Sequence, residues 1–136
     1  MNVIVCISEN GGMLFNSRRQ SSDKALILNL SELIGDEALY ISDFSESLFE
    51  ESPVCTIVSS APLEFAGKED FVFVENYRLS NYKSKIDKLI IYRWNRVYPF
   101  DFGLDISPQA EKMRLLESSE FPGSSHKKIT REIWGR

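Results

Sequence analysis

Residues 2–7 read NVIVCI, a run of β-branched and apolar side chains with no polar face. A strand with one wet face alternates polar and apolar residues. A continuous apolar run belongs instead to a strand covered on both faces, and such strands fill the interior of parallel sheets. The run therefore predicts a first, central strand, and it asks the rest of the chain for helices to cover it.

The following residues supply that cover. SENGGMLFNSRRQ, with Asn10-Gly11-Gly12, is polar and glycine-bearing and reads as a long loop. Ser21 or Ser22 then caps a helix with Asp23 in its first turn. Leu26, Ile27, Leu30, Leu33 and Ile34 recur at helical spacing, and Gly35 ends the helix. ALYI at 38–41 predicts a short strand, SDFSESLFEE at 42–51 a capped amphipathic helix, and VCTIV at 54–58 another strand. A β-α-β-α-β order favours a parallel sheet with crossover helices. FVFVE at 71–75 and KLIIYRW at 88–94 add a fourth and a fifth strand. MRLLE at 113–117 reads as a strand, and ITREIW at 129–134 alternates as a strand does, with a helix as the rival reading.

The chain has 136 residues, which suits one domain spanning 1–136, and its apolar content of 43% is that of a folding chain rather than a disordered one. No membrane-length apolar run and no secretion signal is present at MNVIVCISEN, so a cytosolic protein without a membrane partner is expected. Cys6 and Cys55 lie inside apolar strand-like runs rather than in a CxxC spacing, and they read as buried, reduced thiols with no metal or disulfide. Charge is segregated. Residues 1–67 hold three basic and ten acidic side chains, about −7, and residues 68–136 hold thirteen and ten, about +3. Between Lys24 and Lys68 there is no Lys or Arg, while Glu32, Asp36, Glu37, Asp43, Glu46, Glu50, Glu51 and Glu64 all fall there. An acidic face follows, one that repels nucleic acid and steers cationic partners.

Several stretches resemble the dihydrofolate reductase family. VIVCISENGGMLFN is similar to its first strand and active-site loop, YISDFSESLFEE to its second strand and following helix, and VCTIVSSAPLEFAGKEDFVFVEN to its next two strands. LIIYRWNRVYPFDFGLDIS and TREIWGR resemble its late and closing strands. The resemblance implies an α/β fold with a mainly parallel mixed sheet flanked by helices, and it puts Asp23 where the family's pteridine-gripping acid stands. A carboxylate there can accept two parallel hydrogen bonds from a substrate. An Asp in a first helical turn also serves the helix dipole without any ligand, so both readings stay open.

Three departures speak against reductase chemistry. Where the family has a Leu-Pro-Trp segment this chain reads SRRQSS. Where it has a Gly-Arg-Thr-like cofactor-phosphate stretch, this chain has Ser42-Asp43-Phe44, whose carboxylate opposes a phosphate. The Gly-Gly turn that admits the nicotinamide cofactor has no counterpart in YRLSNYKSKID at 77–87, so a shortened form is implied, with no reductase activity and no cofactor. The pattern also resembles small bacterial proteins automatically labelled ribonuclease Z. That chemistry needs a zinc site such as HxHxDH, and the chain has one histidine.

Two further groups invite a role. Ser124-Ser125-His126 sets hydroxyls beside the only imidazole, but no G-x-S-x-G elbow surrounds them, and after Pro122-Gly123 they read as a polar connector. Tyr92-Arg93-Trp94-Asn95-Arg96-Val97-Tyr98-Pro99-Phe100 interleaves Arg with aromatic rings, which suits stacking, phosphate clamping or a protein hot spot. The alternative is rings facing the core and Arg forming ion pairs. Arg18-Arg19 and Lys127-Lys128 are candidates to extend this group. Arg93, Trp94, Arg96 and Asp23 are thus the candidate binding residues, with Asp23 alone a catalytic candidate. The favoured reading is a binding or regulatory protein with a protein or small-molecule partner. The alternatives are a divergent enzyme acting on a pterin or nucleotide-like molecule and a nucleic-acid-binding module.

Overall fold

The computed structural model describes residues 1–136. NVIVCI forms β1 (Asn2–Ile7), hydrogen-bonded in parallel to residues 71–73 on one side and 88–93 on the other, so the predicted central strand is central. Along the chain follow β2 (Gly12–Phe15), β3 (Arg18–Arg19), α1 (Lys24–Ile34), β4 (Ala38–Ile41), a 3-10 helix at Asp43–Phe49, β5 (Cys55–Val58) and the short α2 (Pro62–Phe65). Then come β6 (Phe71–Phe73), a 3-10 helix at Ser80–Lys85, β7 (Lys88–Arg93), β8 (Phe102–Gly103), β9 (Arg114–Phe121) and β10 (Ile129–Gly135). The main sheet has the order β5-β4-β6-β1-β7-β10-β9. The β5–β4, β4–β6, β6–β1 and β1–β7 pairs are parallel, whereas β10 is antiparallel to both its neighbours. No helix is long and apolar enough to cross a membrane.

Successive β1 side chains feed opposite cores, as the two-residue period of a strand requires. Val3, Val5 and Ile7 pack with Val72, Leu89, Ile91, Leu79 and Ile86, while Ile4 packs with Ile90 and Tyr92. α1 covers this second face with Leu26, Leu30 and Ile34. Gly35 ends the helix at φ 63, in the region a side chain resists.

Local details depart from the sequence expectations. The segment after β1 is not a plain loop. β2 and β3 form a hairpin about Asn16 and Ser17, both at positive φ (51 and 60), the backbone shape that a two-residue connection demands. With β8 they make a second, three-stranded sheet. The α1 cap is Asp23 rather than Ser21 or Ser22, because the Asp23 carboxylate accepts from the Ala25 and Leu26 N–H groups. Residues 43–49 wind as a 3-10 helix, and Ser42 makes no side-chain cap bond. Cys55 is exposed rather than buried, since β5 is an edge strand of the sheet. Segment 77–87 carries a 3-10 helix that leads into the start of β7. Residues 129–135 are a strand, not a helix.

Candidate functional site

The carboxyl ends of β1, β6 and β7 point to one edge of the sheet, where open α/β folds bind ligands. In this chain that edge is occupied by the protein's own side chains. Glu75, just past β6, receives Arg19 from β3 through two bonds, Nε to Oε2 at 2.8 Å and Nη2 to Oε1 at 2.9 Å. Ser45 Oγ donates to Glu75 at 2.7 Å, and Arg19 also reaches the Phe44 carbonyl at 3.2 Å. Side-chain hydrogen bonding to Glu75 raises the Arg19 pKa further, against its partial burial. Cys6 lies beside the pair. Burial pushes its thiol well above the ordinary value, Glu75 adds to the rise and Arg19 opposes it. The cavity left among Cys6, Arg19, Ser21, Asp23, Glu75 and Trp94 is about 20 Å³, room for about one water.

Asp23 is buried and fully used. Its Oδ1 accepts from Ala25 N at 2.9 Å, Leu26 N at 3.3 Å and Ser124 N at 2.9 Å. Its Oδ2 accepts from Ser125 N at 2.9 Å, Ser125 Oγ at 3.1 Å and His126 Nδ1 at 2.9 Å. Burial by itself would raise this carboxyl, but the bonds from Ser124, His126, Ser125 and Leu26 together hold it well below the usual carboxylate range. Gly123 permits the close approach: a Cβ there would sit 2.6 Å from Asp23 Oδ2 and 2.8 Å from the His126 carbonyl oxygen.

An ionised carboxylate only accepts, so Nδ1 of His126 carries a proton. The other nitrogen, Nε2, meets Ser21 Oγ at 3.1 Å and Tyr98 OH at 2.9 Å. Trp94 stacks on the imidazole, centroids 4.6 Å apart and planes 25° from parallel. With its side chain 2% exposed, His126 has no free nitrogen and no free approach. Asp23, His126 and Ser21 follow the order of contacts of a nucleophilic triad, yet the space beside Ser21 holds about one water and no acyl substrate. Nowhere do three His, Cys, Asp or Glu side chains converge as metal ligands do.

The candidate binding residues separate into three environments. Trp94 is buried on His126. Arg93 ends β7 and pairs with Glu132 of β10 at 3.0 Å, the ion-pair reading of that group. Arg96 is exposed and makes no ion pair, and Asn95 at φ 59 turns the chain between the two arginines. Of the two, only Arg96 joins Lys127 and Lys128 around a groove of about 540 Å³ that Trp94, Asn95 and Ser125 complete. Lys128 already pairs with Glu120 at 2.6 Å, and Lys127 has no carboxylate partner. Arg18-Arg19 does not extend this group, because Arg19 is bound to Glu75.

Sequence reasoning set Ser124-Ser125-His126 aside as a connector, whereas these residues anchor the β9–β10 connection to the start of α1. The lone histidine after Pro-Gly was the one available signal, and its partner lies 103 residues away. Glu75 and Tyr98 gave no signal of their roles.

No protein-family model and no curated protein matches the sequence. Among solved structures, the fold is similar to dihydrofolate reductase from Enterococcus faecalis complexed with NADP(H) and RAB-propyl, with a TM-score of 0.67 over 99% of this chain and 95% of that one, at 10% sequence identity. At that identity the likeness concerns architecture: this chain has a dihydrofolate reductase-like α/β fold, with a mainly parallel sheet flanked by helices.

Proposed function

We propose that this chain is a binding or regulatory protein on a dihydrofolate reductase-like scaffold, without reductase activity, and that it engages an acidic protein segment through the groove bordered by Arg96 and Lys127. The observation that carries this reading is the meeting of two cations without carboxylate partners, from the β7–β8 and β9–β10 connections, around one open groove. The cleft at the sheet edge supports it from the other side. Asp23 has six donors from its own chain, so neither carboxylate oxygen is left free for a ligand, and the cavity between it and Glu75 is about 20 Å³. Asp43 is exposed at the place where the resemblance puts a cofactor phosphate, and its charge repels one.

An acidic protein segment fits better than nucleic acid. Base recognition without sequence preference uses open rings for stacking, and here Trp94 and Tyr98 are turned onto His126.

Fluorescence anisotropy with a labelled Asp/Glu-rich peptide tests the reading, alongside a single-stranded oligonucleotide and calorimetric titration of NADPH and dihydrofolate. The peptide is expected to bind wild type and to lose at least about tenfold in affinity in the Arg96→Ala/Lys127→Ala variant, with the melting temperature nearly unchanged. Preferential oligonucleotide binding with a steep salt dependence would move the chain to the nucleic-acid class. Micromolar affinity for NADPH or dihydrofolate would overturn the absence of reductase chemistry.

A further inference from the structure

A second groove, of about 400 Å³, adjoins the small cavity, shares Ser22, Asp23, Ile27 and Leu48 with it, and runs between α1 and the 3-10 helix at Asp43–Phe49. Its apolar residues are Ile27, Leu28 and Leu48, with Pro53 at one end, and Glu50 and Glu51 stand on its rim. Leu28 is the anomaly of α1. While Leu26, Leu30 and Ile34 are buried on the sheet, Leu28 remains 58% exposed beside this groove.

The charge around it is one-sided. All eight carboxylates between Lys24 and Lys68 are exposed, and none pairs with a Lys, an Arg or the histidine. Only Lys24, at the first turn of α1, brings a positive charge to the groove. Apolar side chains set beside a rim of carboxylates that form no ion pair select a ligand that offers apolar side chains on one face and cations on the other. Negative membranes and nucleic acids meet repulsion there, and a neutral apolar ligand leaves the rim unused.

We infer that the groove between α1 and residues 43–53 is a docking site for a cationic amphipathic segment of a partner protein, laid in as a helix with its apolar face on Leu28 and Leu48. Helix-in-groove recognition has this form, apolar anchors giving affinity and the charged rim giving direction and encounter rate. The site is independent of the Arg96 groove, and its variants leave that groove intact.

The test is anisotropy titration of a labelled synthetic amphipathic helix of Leu and Lys, at low salt and at about 0.15 M salt. Wild type is expected to bind in the micromolar range. Glu50→Lys/Glu51→Lys and, separately, Leu28→Ser are each expected to weaken binding by about tenfold. The Leu28→Ser loss should persist at the higher salt. Asp36→Lys/Glu37→Lys makes the same change in net charge beyond the far end of α1, and it is expected to change affinity less than about threefold. Equal losses from the two charge reversals, with none from Leu28→Ser, would reduce the binding to general attraction and overturn the site. Absence of binding by wild type would overturn it as well. Leu28, Glu50 and Glu51 are exposed, so unchanged circular dichroism and melting temperature are expected, and Arg96→Ala/Lys127→Ala should bind the cationic helix as wild type does.

Discussion

Replacing Asp23 by Asn separates a structural carboxylate from one held ready for a ligand. The change keeps size and shape but turns the acceptor Oδ2 into an amide donor, which then faces Ser125 N–H, Ser125 Oγ and His126 Nδ1. The hydroxyl can rotate to accept, and the imidazole can shift its proton to Nε2, where Ser21 and Tyr98 receive it. The Ser125 amide cannot adjust, and a buried unsatisfied donor costs roughly 1–3 kcal/mol. The three bonds to Oδ1 lose their charge assistance, together worth about 1–2 kcal/mol if each falls from the charged toward the neutral range. The expected loss is thus about 3 kcal/mol, a shift of roughly 10 °C in melting temperature for a domain of this size. Urea unfolding of wild type and Asp23→Asn at pH 7 measures it directly. A carboxylate kept for a substrate would be relieved by neutralisation, so a loss below about 1 kcal/mol, or a gain, would refute the structural role. The pH dependence gives a second check. The folded pKa lies below the unfolded value of about 3.9, so the contribution is present above that pH and is lost as the pH falls toward the folded pKa. The gap between wild type and variant is therefore expected to close on acidification below about pH 4 and to stay constant between about pH 5 and 7.

Gly123→Ala, whose Cβ would press on Asp23 Oδ2 and the His126 carbonyl, is expected to cost about 1–3 kcal/mol in the same unfolding assay and to sum less than additively with Asp23→Asn. Glu75→Gln leaves the Arg19 guanidinium without its counterion and is expected to cost about 2 kcal/mol, below the range for a fully buried pair because Arg19 is partly exposed; no loss would mean that water replaces the pair. Arg93→Ala breaks a partly exposed pair with Glu132 and is expected to cost less than about 1 kcal/mol, with affinity for the acidic peptide unchanged. A drop in that affinity would return Arg93 to the binding surface.

The elements that sequence predicted correctly are those whose signal is local. NVIVCI is central because a strand without a polar face has nowhere else to go, and KLIIYR beside it follows the same rule. α1 is visible in the spacing of Leu26, Leu30 and Ile34 and in the Gly35 stop. The β2–β3 hairpin escaped because Asn16-Ser17 lacks the Asn-Gly or Asp-Gly signature of such turns, and because β3 is two residues long. Cys55 was misjudged because an apolar run reads alike in a central strand and in an edge strand, and only the pairing order reveals that β5 has one neighbour.

The site divides along the same line. Sequence alone determined that the chain alternates strand and helix around a buried first strand, that residues 25–67 form an acidic stretch, and that Asp23 stands at the start of a helix. Tertiary structure decided what Asp23 holds, which arginine is free, and which cations share a groove. Helical and strand periods act over a few residues, while the Asp23–His126 contact spans 103 positions and Arg96 meets Lys127 across two separate connections. Such meetings depend on the strand order that brings β10 beside β7, and the packing of the whole sheet, rather than any local preference of Asp23 or His126, sets that order.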